Sequence, residues 1–278
     1  MTVRPSEDQE APRGGARGGK VGGDLPSFHV TVANPARIWD YWLGGKDNFA
    51  ADREAAQKVM QLLPWMPEAV RRCREFLASS IRTLAEDHGV RQFLDIGSGL
   101  PTVGNVHEVA QQAAPSSRVV YVDYDPVVAS HARALLANHA EGGTAFIRAD
   151  LRDTETILGE AADTLDFSHP IAILLINVLH FIPDADDPHA IVSRLMDAVP
   201  PGSFLVMVHG ASDIRTDTVT EGARRYNELS DTPLTMRTRA QVTKFFDGLQ
   251  ILDTGRGPGQ LGDAGSGQPS YYGIGKKP

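Results

Sequence analysis

A regular alternation of short apolar runs with helical stretches begins after Gly89 and constrains the fold more than any other feature of this sequence. The apolar runs lack a polar face, which is typical of strands that helices cover on both sides. Alternation of this kind predicts an α/β fold with a doubly wound, mainly parallel sheet. Seven runs are predicted to be strands, and they read RQFLDI, RVVYVD, TAFIRA, IAILLIN, SFLVMVHG, LQILDTG and SYYGIGKK.

The last two predicted strands are joined by a glycine-rich stretch that has room for a hairpin but not for a crossover helix. The final strand should therefore run antiparallel to its neighbour. Helices are predicted around the other strands, over residues 104–112, 126–138, 153–158, 187–199 and 238–246.

Further helices are predicted ahead of the sheet, over about residues 35–43, 51–63 and 67–88. The first of them has a clear start, because Asn34 can cap it and Pro35 fits its first turn. It should end at the double glycine Gly44-Gly45.

The residues ahead of these helices have a different composition. Residues 1–26 are rich in Gly, Pro, Arg and acidic residues and hold too little apolar surface to offset the entropy lost on ordering. We expect a disordered tail there, followed by an N-terminal helical extension over residues 27–88 and a ligand-binding domain over residues 89–278.

The charge of the chain bears on its partners. The formal net charge is -8, and the isoelectric point lies near 5.6. Recognition of phosphates relies on clustered Lys and Arg, so these values argue against a general nucleic-acid binder. A small-molecule partner is favoured instead, and the oligomeric state stays open.

Metal and membrane signals are also weak. Cys73 is the single cysteine, so an internal disulfide is excluded, and no spacing of Cys and His suggests zinc. Asp184, Asp186, Asp187 and His189 favour a polar turn with an acidic helix cap over a metal site.

The N-terminus lacks the apolar core of a signal peptide, and no apolar run could span a bilayer, so we expect a cytoplasmic protein without a membrane partner.

The turn after the first predicted strand, DIGSGLPT, lies where doubly wound sheets bind their ligands. Gly97 and Gly99 permit a close approach of the backbone. The dinucleotide fingerprint needs a third glycine where Thr102 stands, after Pro101, and no Gly-Lys-Ser/Thr follows to form a P-loop. A ligand without phosphates fits better, because Asp95 can bind a cationic amino group while the glycines pack against an amino-acid tail.

Two more acidic residues end the next two predicted strands. Asp123 can accept the hydroxyl groups of a ribose, which would suit NAD as well, and Asp125 can cap the following helix and leave Asp123 unengaged. Asp150 can accept the amino group of adenine, or it can simply cap its own loop. The three strand ends together favour a ligand that contains adenosine.

The segments DIGSG, VVYVDYDP, ADLRD and AILLINVLHFIPD resemble, in order and spacing, the successive motifs of the Rossmann-like S-adenosylmethionine-dependent methyltransferases. NPARIWDYWLGGKDNFAADREAA together with DIGSGLPT is similar to a bacterial family of S-adenosyl methyltransferases long catalogued as a domain of unknown function. The resemblance covers about residues 28–276. It implies a Rossmann-like sheet with an antiparallel last strand, and S-adenosyl-L-methionine as the cofactor, with S-adenosyl-L-homocysteine as its product.

The same resemblance implies where the cofactor binds. The methionine part would lie on the glycine turn, the ribose on Asp123 and the adenine at Asp150, with the sulfonium beside the loop after the fourth strand. Pro101 departs from the glycine that is usual in the superfamily. The cofactor-binding residues implied in this way are Asp95, Gly97, Ser98, Gly99, Asp123, Tyr124, Asp150, Leu151, Asn177 and Val178.

His180 follows the fourth predicted strand, where an acceptor would meet the methyl group. Histidine titrates near neutrality, so His180 could take a proton from a hydroxyl or an amine and is the candidate catalytic residue. Packing beneath the loop is the equal alternative.

A lid is predicted in the N-terminal extension, because the double glycine allows hinge motion and polar side chains follow it. A buried aromatic helix end with a capped turn is the alternative. The predicted substrate and lid residues are Arg37, Tyr41, Trp42, Lys46, Asp47 and Asn48.

The leading prediction is a methyltransferase that uses S-adenosylmethionine and acts on a small-molecule acceptor. An NAD-dependent dehydrogenase is the enzymatic alternative, and the missing third glycine disfavours it. A non-catalytic sensor of S-adenosylmethionine, or a partner-binding protein, is the alternative from another functional class.

Overall fold

The computed structural model describes residues 30–102, 104–136, 143–228, 230, 232–254, 259–263 and 269–278. The predicted disordered tail, residues 1–26, lies outside the described residues, as do residues 137 and 138 at the end of one predicted helix.

The described residues form an eight-stranded sheet in the order β3-β2-β1-β4-β5-β8-β6, with β7 paired to β8. Strands β1 to β5 are parallel to one another, and β8 runs antiparallel to β5, β6 and β7. The predicted doubly wound sheet and its antiparallel last strand are confirmed. The strands are β1 Gln92–Ile96, β2 Arg118–Asp123, β3 Thr144–Arg148, β4 Ala172–Ile176, β5 Phe204–Gly210, β6 Gln250–Ile251, β7 Gly262–Asp263 and β8 Ser270–Lys276.

The described residues hold one short strand in addition to the seven predicted. The additional strand, β7, is a two-residue segment that pairs with Tyr271 and Tyr272 of β8, within the stretch that the sequence predicts to be only a turn. Two residues are too few to show the alternation by which a strand is recognised in a sequence.

The α-helices among the described residues cover the sheet and form the N-terminal extension. The predicted helices are confirmed, although the predicted helix over 238–246 divides into α9 and the 3₁₀ turn Lys244–Phe246. The helices are α1 Pro35–Trp42, α2 Ala50–Leu62, α3 Met66–Glu86, α4 Val106–Ala113, α5 Pro126–Leu136, α6 Thr154–Ala161, α7 Pro188–Asp197, α8 Thr216–Asn227 and α9 Arg239–Thr243.

Helix α8 was not predicted from the sequence. Its buried positions are Val219, Gly222 and Tyr226, which lie on one face at helical spacing, but the rest of the helix is polar. A glycine in a sequence usually argues against a helix. Here it allows close packing, because a Cβ at Gly222 would lie 2.7 Å from Leu63 Cδ1. Contact with α2 therefore stabilises a helix that has little apolar periodicity of its own.

Two apolar clusters cover the two faces of the sheet, as the pattern of the strands predicts. Residues alternate between the faces, so that Leu94 belongs to the cluster that contains Ile157 of α6, whereas Phe93 belongs to the cluster that contains Ile81 of α3 and Val109 of α4. The sheet is therefore buried on both sides, and ligands have access only at its ends.

A third apolar cluster joins α1 and α2 to the start of α3 and to α8, with Ile38, Val59, Val70 and Tyr226 among its buried members. Because the later turns of α3 pack on the sheet, this helix connects the extension with the sheet. None of the described helices is long and apolar enough to cross a bilayer.

Candidate functional site

A cavity of about 840 Å³ lies beyond the carboxyl ends of β1 to β5 and beneath α1, α3 and α8. Ligand pockets usually measure roughly 300–1,000 Å³, so this cavity is near the upper end of the range. The turns after the first four strands all contribute to its wall, which brings together the residues that the sequence places at separate strand ends.

The glycine turn after β1 has a backbone conformation that only glycine adopts readily. Gly97 and Gly99 have φ values of +74° and +67°, which favour glycine. The amide of Gly97 donates to Val122 O at 2.8 Å, and a Cβ at this glycine would lie 2.5 Å from Val178 Cγ2. Gly97 is therefore required by the packing of the loop after β4, and Ser98 and Gly99 line the cavity beside it.

Asp95 is the last residue but one of β1 and lines this cavity. Burial raises the pKa of its carboxyl to about 7, an effect that the positive charge of Arg74 opposes and the nearby Asp123 reinforces. A cationic group bound beside Asp95 would favour the ionised form. This chemistry fits an ammonium group such as that of the methionine part of the predicted cofactor.

The Asp123 carboxylate is engaged, contrary to the expectation that capping by Asp125 would leave it without a backbone partner. Its Oδ2 accepts from the amide of Gly99 at 2.9 Å, and its Oδ1 accepts from the amide of Asp125 at 3.0 Å. Asp125 does cap α5, because its Oδ1 accepts from the amide of Val127 at 2.6 Å. Burial raises the pKa of Asp123 to about 6. Each carboxylate oxygen has a second lone pair, so Asp123 can hold the turn and accept a ligand hydroxyl together.

Asp150 lines the cavity, but its carboxylate is bound to Arg152. Its Oδ1 accepts from the amide and Nε of Arg152, and its Oδ2 accepts from Nη2 at 2.6 Å. Burial alone would raise the pKa of Asp150, but these hydrogen bonds outweigh it and hold the pKa below its usual value. Of the two roles open to Asp150, the structure shows the one in which it holds its own loop. Leu151 and Tyr124 line the same part of the cavity.

The loop after β4 enters the cavity through Asn177, Val178 and His180. Asn177 has a φ of 54°, in the left-handed region, and its side-chain amide donates to Cys73 Sγ of α3 at 3.3 Å. Burial raises the pKa of the Cys73 thiol to about 11, so this sulfur stays protonated at neutral pH. The Asn177 side chain therefore fixes the loop against α3.

His180 is buried, and its Nδ1 has no hydrogen-bond partner within the described part of the chain. Its ring meets that of Phe181 edge to face, with centroids 4.4 Å apart. Burial, and then the charges that His209 and Arg237 bring close, hold the pKa of His180 well below its usual value near 6.5. His180 is therefore uncharged at neutral pH, and the residue lines the cavity.

Two of the predicted substrate and lid residues, Arg37 and Trp42, line the cavity. Arg37 is buried and donates from Nε to Asp52 Oδ2 at 2.9 Å and from Nη1 to Asp125 Oδ2 at 3.4 Å. It therefore links α1, α2 and the turn after β2 through buried charges.

The other four predicted lid residues do not line the cavity, and their role at the substrate site stays a prediction. Asp40 holds the segment that follows α1, since its Oδ2 accepts from the amide of Asp47 and from Nδ2 of Asn48. Tyr41 instead accepts from Gln57 at the surface, at 3.0 Å, and Lys46 is exposed.

The double glycine that suggested a hinge has a structural role at both positions. Gly44 has a φ of +83°, and Gly45 lies so close to the Asp40 carboxylate that a Cβ would collide with it. Gly44 is therefore required by the conformation of the turn, and Gly45 by the close approach of the Asp40 carboxylate.

The acidic residues between the β4 loop and α7 do not come together as a metal site. Asp187 caps α7 by accepting from the amide of Ala190 at 3.1 Å, as expected of an acid in this turn. Asp184 pairs with Arg237 and Asp186 with Arg152. Among the residues that the structure describes, no cluster of His, Cys and acidic side chains could hold a metal ion.

Two cavity residues were missed from the sequence. Arg74 lies on α3 beside the apolar face and donates to Gly104 O at 3.1 Å, and Thr102 has a buried hydroxyl without a partner among the described residues. An arginine next to Cys73 and between the buried Val70 and Leu77 was the only signal for the first. Nothing in the sequence distinguishes Thr102 beyond its place in the glycine turn.

Comparison with known proteins agrees with this geometry. A protein of the DUF574 family from Streptomyces avermitilis is 39% identical, with a TM-score of 0.82 over 89% of this chain and 98% of its own. A protein from Thermobifida fusca, described as a candidate methyltransferase, is 37% identical, with a TM-score of 0.81 over 89% of this chain and 96% of its own.

An O-methyltransferase family protein from Burkholderia thailandensis shares the fold at 14% identity, with a TM-score of 0.53 over 82% of this chain and 59% of its own. A comparison with curated proteins found no match. The model of a family described as S-adenosyl methyltransferase matches residues 24–260. The chain therefore belongs to the S-adenosyl methyltransferase family, with a Rossmann-like fold and S-adenosylmethionine as its cofactor.

Proposed function

We propose that this protein is an enzyme that transfers a methyl group from S-adenosylmethionine to a small-molecule acceptor. The observation that carries the proposal is a cavity of about 840 Å³ that is lined both by the buried Asp95 and Asp123 at the strand ends and by His180 of the β4 loop. A ligand can lie on the strand ends while a second one reaches it from beneath α1 and α8.

The donors and acceptors present fit the cofactor. Asp95 would hold the ammonium group, while Arg74 would hold the carboxylate of the methionine part. Asp123 would accept from the ribose, and Leu151 would border the adenine. The raised pKa of Asp95 supports this arrangement, because a buried carboxyl is stabilised in its ionised form by a cation.

When bound, the cofactor supplies a methyl group on a cationic sulfur, and this group passes to a nucleophile while the electron pair of the carbon–sulfur bond returns to sulfur. The chain then contributes orientation and the exclusion of water. Holding two reactants in line can lower a barrier by roughly 7–11 kcal/mol. Asn177 and Val178 give the β4 loop its fixed position, and Trp42 of α1 covers the cavity.

We further propose that His180 contacts the nucleophile of the acceptor. Because burial keeps its imidazole uncharged at neutral pH, His180 is ready to accept a hydrogen bond or a proton there. The position of His180 in the wall of the cavity supports this role over one of packing alone. The lid motion of the N-terminal extension over the cavity stays a prediction.

The proposal is tested by incubating the protein with S-adenosylmethionine and a panel of small alcohols, phenols and amines. Mass spectrometry should detect a methylated product together with S-adenosylhomocysteine. Asp95→Asn is the matched control, since it keeps the shape of the side chain and removes the charge that holds the ammonium group. Cofactor binding without methylation of any compound would favour a non-catalytic sensor.

The role of His180 is tested separately. His180→Ala should leave the affinity for S-adenosylhomocysteine nearly unchanged, as measured by calorimetry, and should slow methyl transfer by about a hundredfold or more. If cofactor affinity and thermal stability are lost together, His180 is a packing residue.

A further inference from the structure

One side of the cavity is apolar and differs in chemistry from the strand ends. We define the apolar wall by six residues that both line the cavity and belong to the third apolar cluster, namely Trp42, Leu63, Met66, Phe181, Tyr226 and Leu234. They come from α1, from the start and flanks of α3, from the β4 loop and from α8 and the segment after it. The wall therefore forms only when these elements pack together.

The polar atoms of the apolar wall already have partners. Nε1 of Trp42 donates to Ala56 O at 3.4 Å, and the phenol oxygen of Tyr226 accepts from Ser230 Oγ at 3.3 Å. Burial raises the pKa of the Tyr226 phenol, so it carries no charge at neutral pH. A ligand seated against this wall would find apolar surface and no ionic partner.

The charged side chains of the cavity are engaged elsewhere. Arg37 is bound to Asp52 and Asp125, and the Asp40 carboxylate accepts from the backbone and side chain of the loop after α1. Asp95, Asp123 and Arg74 lie where the cofactor is proposed to bind. Arg152 is bound to Asp150 and Asp186. A charged acceptor would therefore lose its hydration at the apolar wall without gaining a counterion, which is costly.

His180 stands at the border between the apolar wall and the strand ends. Its ring contacts that of Phe181, whose ring centroid lies 6.3 Å from that of Tyr226. The buried Nδ1 of His180 is unpartnered within the described residues, and a Cβ at Gly210 would lie 3.8 Å from it. The His180 imidazole lines the cavity and thus adjoins an otherwise apolar surface.

We propose that the apolar wall binds the methyl acceptor, and that the acceptor is a neutral, largely apolar small molecule with one hydroxyl or amino group that hydrogen-bonds to the His180 imidazole. This inference rests on the proposed function, since it describes the second ligand of the same cavity. An apolar pocket with few polar groups is the usual form of a small-molecule site, in which the polar groups fix the orientation.

The tryptophans provide a direct readout. The chain has three, and Trp39, Trp42 and Trp65 all line the cavity. Para-butylphenol, butylbenzene and para-butylbenzoate are suitable probes, because they share one apolar frame and differ in a single group. Each is titrated into the full chain with S-adenosylhomocysteine at saturation, so that the cofactor site is filled.

Para-butylphenol should quench the tryptophan fluorescence and bind about three- to tenfold more tightly than butylbenzene, because it gains one hydrogen bond. The benzoate should bind at least about tenfold more weakly than the phenol, because its charge has no partner. His180→Phe should abolish the difference between the phenol and butylbenzene. A benzoate that binds as tightly as the phenol would overturn the proposal.

A pair of variants on α8 tests the location. Ala223→Phe adds a ring on the face that lines the cavity and should weaken phenol binding, whereas Thr220→Phe adds the same ring at an exposed position and should not. Equal effects of both variants, or displacement of the phenol by S-adenosylhomocysteine, would place the probe elsewhere and refute the inference. Calorimetry with S-adenosylhomocysteine alone separates the outcomes, because its failure to bind would refute the proposed function itself.

Discussion

Asp95 makes cofactor binding depend on pH. The pKa of its carboxyl is raised to about 7 by burial, so the ligand-free protein holds this proton until near neutrality. Because the ammonium group of the ligand favours the ionised carboxyl, proton loss and binding are linked, and affinity should rise about tenfold between pH 5.5 and pH 7. Above about pH 8 the affinity should fall again, since an α-amino group loses its proton there.

Calorimetric titrations with S-adenosylhomocysteine across this range check the expectation. Asp95→Asn is the control, because it has no carboxyl to titrate and should bind weakly with a flat profile on the acidic side. An equally steep acidic limb in this variant would assign the pH dependence to Asp123, whose pKa is raised to about 6.

Asp123 and Asp150 are predicted to differ in their importance for the cofactor. Asp123→Ala should weaken S-adenosylhomocysteine binding by about 1.5–3 kcal/mol, the usual cost of a lost charged hydrogen bond. It should also lower the melting temperature, because the amides of Gly99 and Asp125 lose their acceptor. Asp150→Ala should weaken binding less, since the Asp150 carboxylate is already bound to Arg152. A larger effect at Asp150 would reverse this assignment.

The N-terminal elements are held to the sheet domain by buried charge. Arg37 of α1 reaches Asp52 of α2 and Asp125 at the start of α5, and all three side chains are buried. Removing one partner of such a network leaves uncompensated charges, so Arg37→Met should lower the free energy of unfolding by about 3–5 kcal/mol. Urea denaturation measures this loss.

The matched control for the Arg37 variant is Lys58→Met on α2. Lys58 also pairs with an acid, Glu54, but both side chains are exposed, and such pairs contribute little. Its urea midpoint should therefore equal that of the unmodified chain. If Arg37→Met also left the urea midpoint unchanged, the connection between α1, α2 and the turn after β2 would depend on apolar contacts alone.

At the scale of the elements, the sequence predicts each strand of five residues or more, because two-sided burial leaves an unbroken apolar run. It does not predict β7, which is too short to carry a pattern, or α8, whose buried face includes Gly222. Both elements are formed through contacts with distant partners, β7 with β8 and α8 with α2. Such contacts produce no periodic pattern in the local sequence.

For the molecule as a whole, cofactor binding should raise stability by mass action. At a hundredfold excess of S-adenosylhomocysteine over its dissociation constant the gain is about 2.7 kcal/mol. For a chain of this length the melting temperature should rise by about 5–10 °C. NAD should leave it unchanged, because the turn after β1 lacks the third glycine of a dinucleotide site. A comparable shift with NAD would favour the dehydrogenase alternative.

The doubly wound sheet, its antiparallel last strand and the gathering of Asp95, Asp123 and Asp150 around one cavity all follow from the sequence. They do so because parallel strands connected by helices place their carboxyl ends at the same edge, whatever the side chains. The order of strands and turns along the chain therefore fixes which residues meet there.

What those residues can do depends on their partners and their burial in the folded chain. Asp150 is bound to Arg152, and Asp47 and Asn48 are held by Asp40, so the candidates that the sequence could not rank are separated by their partners. The charge states of Asp95 and His180, and the apolar wall built from α1, α3 and α8, likewise arise from packing. Burial and the distance to a partner depend on contacts between segments far apart in sequence, and these contacts exist only once the chain is folded.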